Sequence, residues 1–65
     1  MKADSTFVQI LETCLIIDKA AKDIYLSLAA RTGDAALREF WEMMARDEQK
    51  HIEYWGKLIG VVSRG

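Results

Sequence analysis

Apolar residues recur along this chain at alternating steps of three and four, with one break near the middle, and that pattern predicts two amphipathic α-helices. In the second half Leu37, Trp41, Met44, Glu48, His51, Trp55, Ile59 and Val62 fall within roughly 40° of one line at about 100° per residue. Glu39, Glu42, Arg46, Gln49, Lys50, Glu53 and Lys57 take the far side. In the first half Phe7, Leu11, Cys14, Asp18, Ala21, Tyr25 and Ala29 share a line, but the apolar arc is wider. Ile10, Ile17, Ile24 and Leu28 flank it on one side, and Val8, Leu15 and Leu26 on the other. One partner helix cannot cover so broad an arc. The surplus, together with the outward-pointing Ile16, is expected to meet further subunits.

The punctuation between the stripes is sparse, since the chain has no proline. Asp4, Ser5 and Thr6 are candidate caps for a helix running to about Arg31. Gly33 supplies a stop at which positive φ is easy, and Asp34 caps a second helix from about Ala35 to about Val62. Gly56 is an interior weak point of that helix, and Gly60 marks where fraying is expected. Residues 1–65 therefore read as a single all-α unit, an antiparallel helical hairpin. Two helices cannot enclose a core, so the hairpin is expected to dimerise into a four-helix bundle.

Composition supports association. A chain of 65 residues buries too little of its own surface to be stable without help, and the single cysteine, Cys14, rules out an intrachain disulfide. Cys14 reads as a small core residue. The apolar fraction of 51% is high for so small a unit. Net charge is -1 with Lys and Arg scattered among Asp and Glu, which gives no surface for nucleic acid. The first apolar stretch is broken by Gln9, Glu12 and Asp18, so neither a signal peptide nor a membrane span is expected, and the cytoplasm is the default compartment.

Three residues in the apolar stripes do not belong there on hydrophobicity alone: Asp18, Glu48 and His51. Asp18 and Glu48 each lie fifteen positions from Gly33. At ~1.5 Å rise per residue both stand ~22 Å from the bend and face each other, with His51 one turn beyond Glu48 on the same face. Acidic and imidazole groups at one level of a core need a common partner, and a bound cation is one. In a dimer the set doubles to two Asp, two Glu and two His. A Glu from each of two helices and a Glu-x-x-His from each of the other two is the ligand set of di-iron and di-manganese bundles, here with Asp18 replacing one Glu. Four carboxylates match two divalent ions in charge. Carboxylate oxygens with one imidazole per ion suit Fe(II) or Mn(II), and Zn(II) is an opportunistic third.

The segment Asp18-Lys-Ala-Ala-Lys-Asp-Ile-Tyr25, followed by Leu26-Ser-Leu-Ala-Ala, resembles the first-helix motif of rubrerythrins and other ferritin-like proteins. The segment Leu37-Arg-Glu-Phe-Trp-Glu-Met-Met-Ala-Arg-Asp-Glu48-Gln-Lys-His51 resembles their second-helix motif. The likeness spans one helical hairpin and is closer to the half-length ferritin-like proteins, encapsulated ferritins among them, that build the site across a dimer. It implies that Glu48 bridges two irons and His51 ligates one, with Asp18 as the remaining ligand and two Fe per dimer. It further implies ferroxidase-type oxidation of Fe(II) by O2 or peroxide. Asp18 is one methylene shorter than the family's Glu. No Cys-x-x-Cys pairs are present, so peroxide reduction would draw on an external electron donor.

Tyr25, two turns from Asp18 on the same stripe, is the candidate catalytic residue, through a hydrogen bond to a ligand or as an electron donor; the alternative is an ordinary core tyrosine. Asp47 reads either as a second acceptor orienting a neighbouring histidine or as a solvated, salt-bridged carboxylate. Trp41, Trp55, Phe7, Phe40, Met43 and Met44 read as packing and interface residues. The competing reading of the whole chain is a metal-free ferritin-like oligomerisation module.

Overall fold

The computed structural model describes residues 5–64. It consists of α1 (Ser5–Arg31) and α2 (Ala35–Arg64), packed against each other, with no strand among the described residues. Tyr25 stacks on Trp41, Lys22 reaches Gln49, and Asp18 meets Trp55. Partners on α2 advance as those on α1 recede, so the helices run antiparallel. No helix among the described residues is long and apolar enough to cross a membrane.

The bend is closed by side chains. The Thr32 N–H donates to the Leu28 carbonyl at 3.1 Å, adding a last turn to α1, and Arg38 Nη2 donates to the Thr32 carbonyl at 3.1 Å. These bonds occupy acceptors that a helix end leaves open. The Asp34 N–H donates to Thr32 Oγ1 at 3.2 Å, and Asp34 Oδ1 accepts the Leu37 N–H at 2.9 Å. The latter is an N-cap bond to the third residue of α2. Gly33 does not adopt the left-handed conformation expected of it, because Thr32 and Asp34 already complete the turn. The candidate cap Asp4 lies outside the described residues. α2 also continues through Gly56 and Gly60 to Arg64, two residues past its expected end.

Packing follows one line on each helix. Leu11, Ala29 and Ala45 are buried, and Cys14, Leu15, Asp18, Ala21, Lys22 and Tyr25 stand half-buried opposite Trp41, Met44, Glu48, Gln49, Ile52 and Trp55. The line on α2 departs from the expected stripe. Leu37 and His51 are exposed, whereas Gln49, expected on the solvated side, is half-buried. The contact line is rotated toward Ala45 and Ile52. Small Ala45 is the most buried residue of α2, as it would be where two backbones approach closely.

Of the α1 flank of Val8, Leu15 and Leu26, the first two are drawn into the seam and Leu26 stays exposed, as do Ile10, Ile17, Ile24 and Leu28 on the other side and Ile16. The hairpin is a single layer of 50 × 15 × 9 Å with a radius of gyration of 15.0 Å. A compact chain of this length has a radius near ~11 Å. Its accessible surface of 4806 Å² likewise exceeds the ~4,200 Å² of a compact monomer of equal mass.

Candidate metal centre

In an α-helix each side chain leans toward the helix's own amino end. On α1 that direction leads away from the bend, and on α2 it leads toward the bend. Side chains on the two helices therefore converge when the α2 residue starts somewhat farther from the bend than its α1 partner. Lys22 Nζ donates to Gln49 Oε1 at 2.6 Å in this staggered sense, and Trp55 Nε1 donates to Asp18 Oδ2 at 2.6 Å.

The same convergence assembles Asp18, Glu48 and His51, whose donor atoms all lie within 4.8 Å of one another. His51 Nδ1 stands 2.8 Å from Glu48 Oε1, so with Glu48 ionised the imidazole N–H donates to it. The Glu48 side chain keeps only 14% of its exposure, against 61% for His51. Glu48 belongs to the seam, and His51 sits on its rim.

Electrostatically the cluster is short of positive charge. Among the described residues no lysine or arginine forms an ion pair with Asp18 or Glu48. Lys22, one turn from Asp18 on α1, turns to Gln49 instead, and Gln49 Nε2 donates onward to Glu53 at 3.0 Å. A half-buried carboxylate pair partnered only by an indole N–H and an imidazole is an arrangement that a cation stabilises.

The donor set fits such an ion. Adjacent donors around an octahedral divalent cation at ~2.1 Å are ~3 Å apart and opposite ones ~4.2 Å apart. The 2.8 Å between His51 and Glu48 is near the first spacing, and the 4.8 Å limit lies a side-chain adjustment from the second. Two oxygens and one imidazole nitrogen without thiolate match the preference of Fe(II) and Mn(II). One hairpin offers three donors, and the remaining positions would fall to water or a second chain.

Tyr25 is half-buried, its ring stacked on Trp41 with centroids 5.8 Å apart. It stands seven residues from Asp18, about 10 Å along the axis. Asp47 faces solvent with Lys50 Nζ 3.9 Å away. Cys14 is a free thiol, half-buried one turn from Asp18. On the far side of the seam an open groove is lined by Lys22, Leu26, Glu42, Ala45, Arg46 and Gln49, and it contains none of the three candidate ligands. The residue that sequence reasoning missed is Trp55, taken as packing but bonded to Asp18. The available signal was chemical, since a half-buried indole N–H needs an acceptor. No family model matches this chain, and no curated protein or solved structure matches it either.

Proposed function

We propose that the chain is a di-iron carboxylate protein of ferritin-like type that oxidises Fe(II) at a site shared between two hairpins. The observation that carries this reading is the convergence of Asp18, Glu48 and His51 within 4.8 Å, with no lysine or arginine among the described residues paired to either carboxylate. Two such clusters would supply four carboxylates and two imidazoles, a charge of -4 that two divalent ions neutralise. Fe(II) is the substrate: two ions lose one electron each, and O2 with two protons leaves as H2O2, or H2O2 with two protons leaves as two waters. Asp18 and Glu48 provide the negative field that draws Fe(II) in and favours the higher charge of Fe(III). Glu48, its side chain far less exposed than that of His51, holds its position through the seam, and His51 on the rim offers an imidazole nitrogen. Tyr25, whose hydroxyl bonds to none of the three ligands, is assigned to electron donation from the same stripe.

Dimer formation is supported by where the unused apolar surface lies. Viewed from its own amino end, each helix carries its exposed flank anticlockwise of the seam: Ile10, Ile17, Ile24 and Leu28 on α1, and Phe40, Tyr54 and Val61 on α2. Because the axes are antiparallel, the two flanks share one face of the hairpin, and His51 is on that face. At 50 × 15 Å it offers roughly 750 Å², against ~800 Å² per partner in a standard interface.

A second reading, the metal-free oligomerisation module, is favoured by one observation: the Trp55 and His51 bonds give Asp18 and Glu48 internal partners without an ion. One experiment separates the two. Metal content is measured after purification without chelator, and melting is followed with anaerobic Fe(II). Saturation to a hundredfold over Kd should stabilise the fold by about 2.7 kcal/mol, and Glu48→Ala should abolish that gain. A melting temperature unmoved by Fe(II), Mn(II) and Zn(II) would leave the metal-free module.

A further inference from the structure

We propose that Trp55 is a positioning residue for the cation site, holding Asp18 so that one carboxylate oxygen is presented to the ion; this rests on the cation reading above. The bond from Trp55 Nε1 to Asp18 Oδ2 is 2.6 Å long, half-buried, and joins residues 37 positions apart across the seam. Among the described residues it is the one side-chain bond to a candidate ligand other than the contact of Glu48 with His51. A carboxylate with one oxygen engaged by a rigid donor has little freedom to rotate, and Oδ1 is the oxygen left without a partner among the described residues for an ion to use. Metal ligands are commonly oriented by such outer partners.

The indole is itself held. Trp55 packs edge-on against Tyr54 with centroids 5.4 Å apart, and it is half-buried in the seam. It lies one turn beyond His51 on α2, so the ring closes the end of the cluster farther from the bend. This geometry also gives a reason for the short side chain at position 18. The indole N–H already lies at hydrogen-bond distance from the Asp18 carboxylate, and a side chain one methylene longer would displace either its own carboxylate or the ring. Asp18 and Trp55 are matched in length as well as in hydrogen bonding.

The role is tested by Mn(II) binding, measured calorimetrically on the full chain for the wild type, Trp55→Phe, Asp18→Asn and the double variant. Trp55→Phe keeps an aromatic ring and removes only the donor and the second ring. The expected result is a Mn(II) affinity 10- to 100-fold weaker for Trp55→Phe, with helical circular dichroism retained, and no further loss when Trp55→Phe is added to Asp18→Asn. In a Trp41→Phe background Trp55 is the sole tryptophan, and its emission should change on Mn(II) addition with the calorimetric Kd. That response should vanish in Asp18→Asn. The emission experiment leaves Trp55 intact and so holds even where Trp55→Phe folds poorly. Equal affinity in the wild type and Trp55→Phe, or an emission indifferent to bound Mn(II), overturns the positioning role alone. A wild type that binds no Mn(II) overturns the cation reading and the role of Trp55 together.

Discussion

Replacing Ile17 with serine should weaken self-association while leaving the hairpin seam intact. Ile10, Ile17 and Ile24 are 55%, 59% and 58% exposed, so each retains more than half of its surface for a partner. Full burial of an isoleucine is worth about 1.5–3 kcal/mol, and covering the remaining half about 1 kcal/mol. In a symmetric dimer every substitution acts twice. Ile17→Ser should therefore cost ~2 kcal/mol of association, roughly a 30-fold rise in Kd, and the triple variant ~6 kcal/mol, on the order of 10⁴-fold. Sedimentation equilibrium across a concentration series reads this directly. Ile16→Ser is the control, because Ile16 is equally apolar and exposed but points away from the shared face. The reasoning is refuted if the wild type sediments as a 7.4-kDa monomer throughout, or if Ile16→Ser weakens the dimer as much as Ile17→Ser.

The bend gives two further tests, both read by thermal melting. Asp34→Ala removes the acceptor of the Leu37 N–H and should cost about 1 kcal/mol, a fall of roughly 4–8 °C in Tm. A Cβ on Gly33 would meet nothing within 4 Å and the backbone there is not left-handed, so Gly33→Ala should raise stability by about 0.4–1 kcal/mol; a clear loss would show that the turn does need glycine.

How far the sequence disclosed this arrangement depends on the range of the interaction. The cap at Asp34 was legible because it is local: an acidic side chain three residues before an unpaired N–H has little else to do. The two helices were legible from period alone. The level of Asp18 and Glu48 followed from equal counts to the bend. A helical wheel, however, fixes angles within a helix and not which line meets the partner. The rotation toward Ala45 therefore went unseen, and with it the exposure of His51 and the partial burial of Gln49. Matching residues by equal height also ignores the opposed lean of side chains on antiparallel helices. That lean is what carries Trp55 to Asp18 and Gln49 to Lys22, pairs that equal counting leaves apart.

On the proposed reading, the position of the cluster ties association to cation binding. Glu48 is already nearly enclosed by one hairpin, while His51 stands at the rim on the face that carries the exposed isoleucines. A second hairpin docked there would strip water from His51 and from what exposure Glu48 and Asp18 retain. Desolvated carboxylates without a cation oppose docking, because their charge loses hydration and gains no partner. With a divalent ion in place the same docking brings neutralised groups together and adds the partner's donors. The two equilibria are then linked and the linkage is reciprocal: the factor by which the ion tightens the dimer is the factor by which the dimer tightens the ion. For a module selected only to self-associate, apolar residues at positions 18, 48 and 51 would serve better, since a well-packed apolar replacement of buried charges is commonly neutral or stabilising.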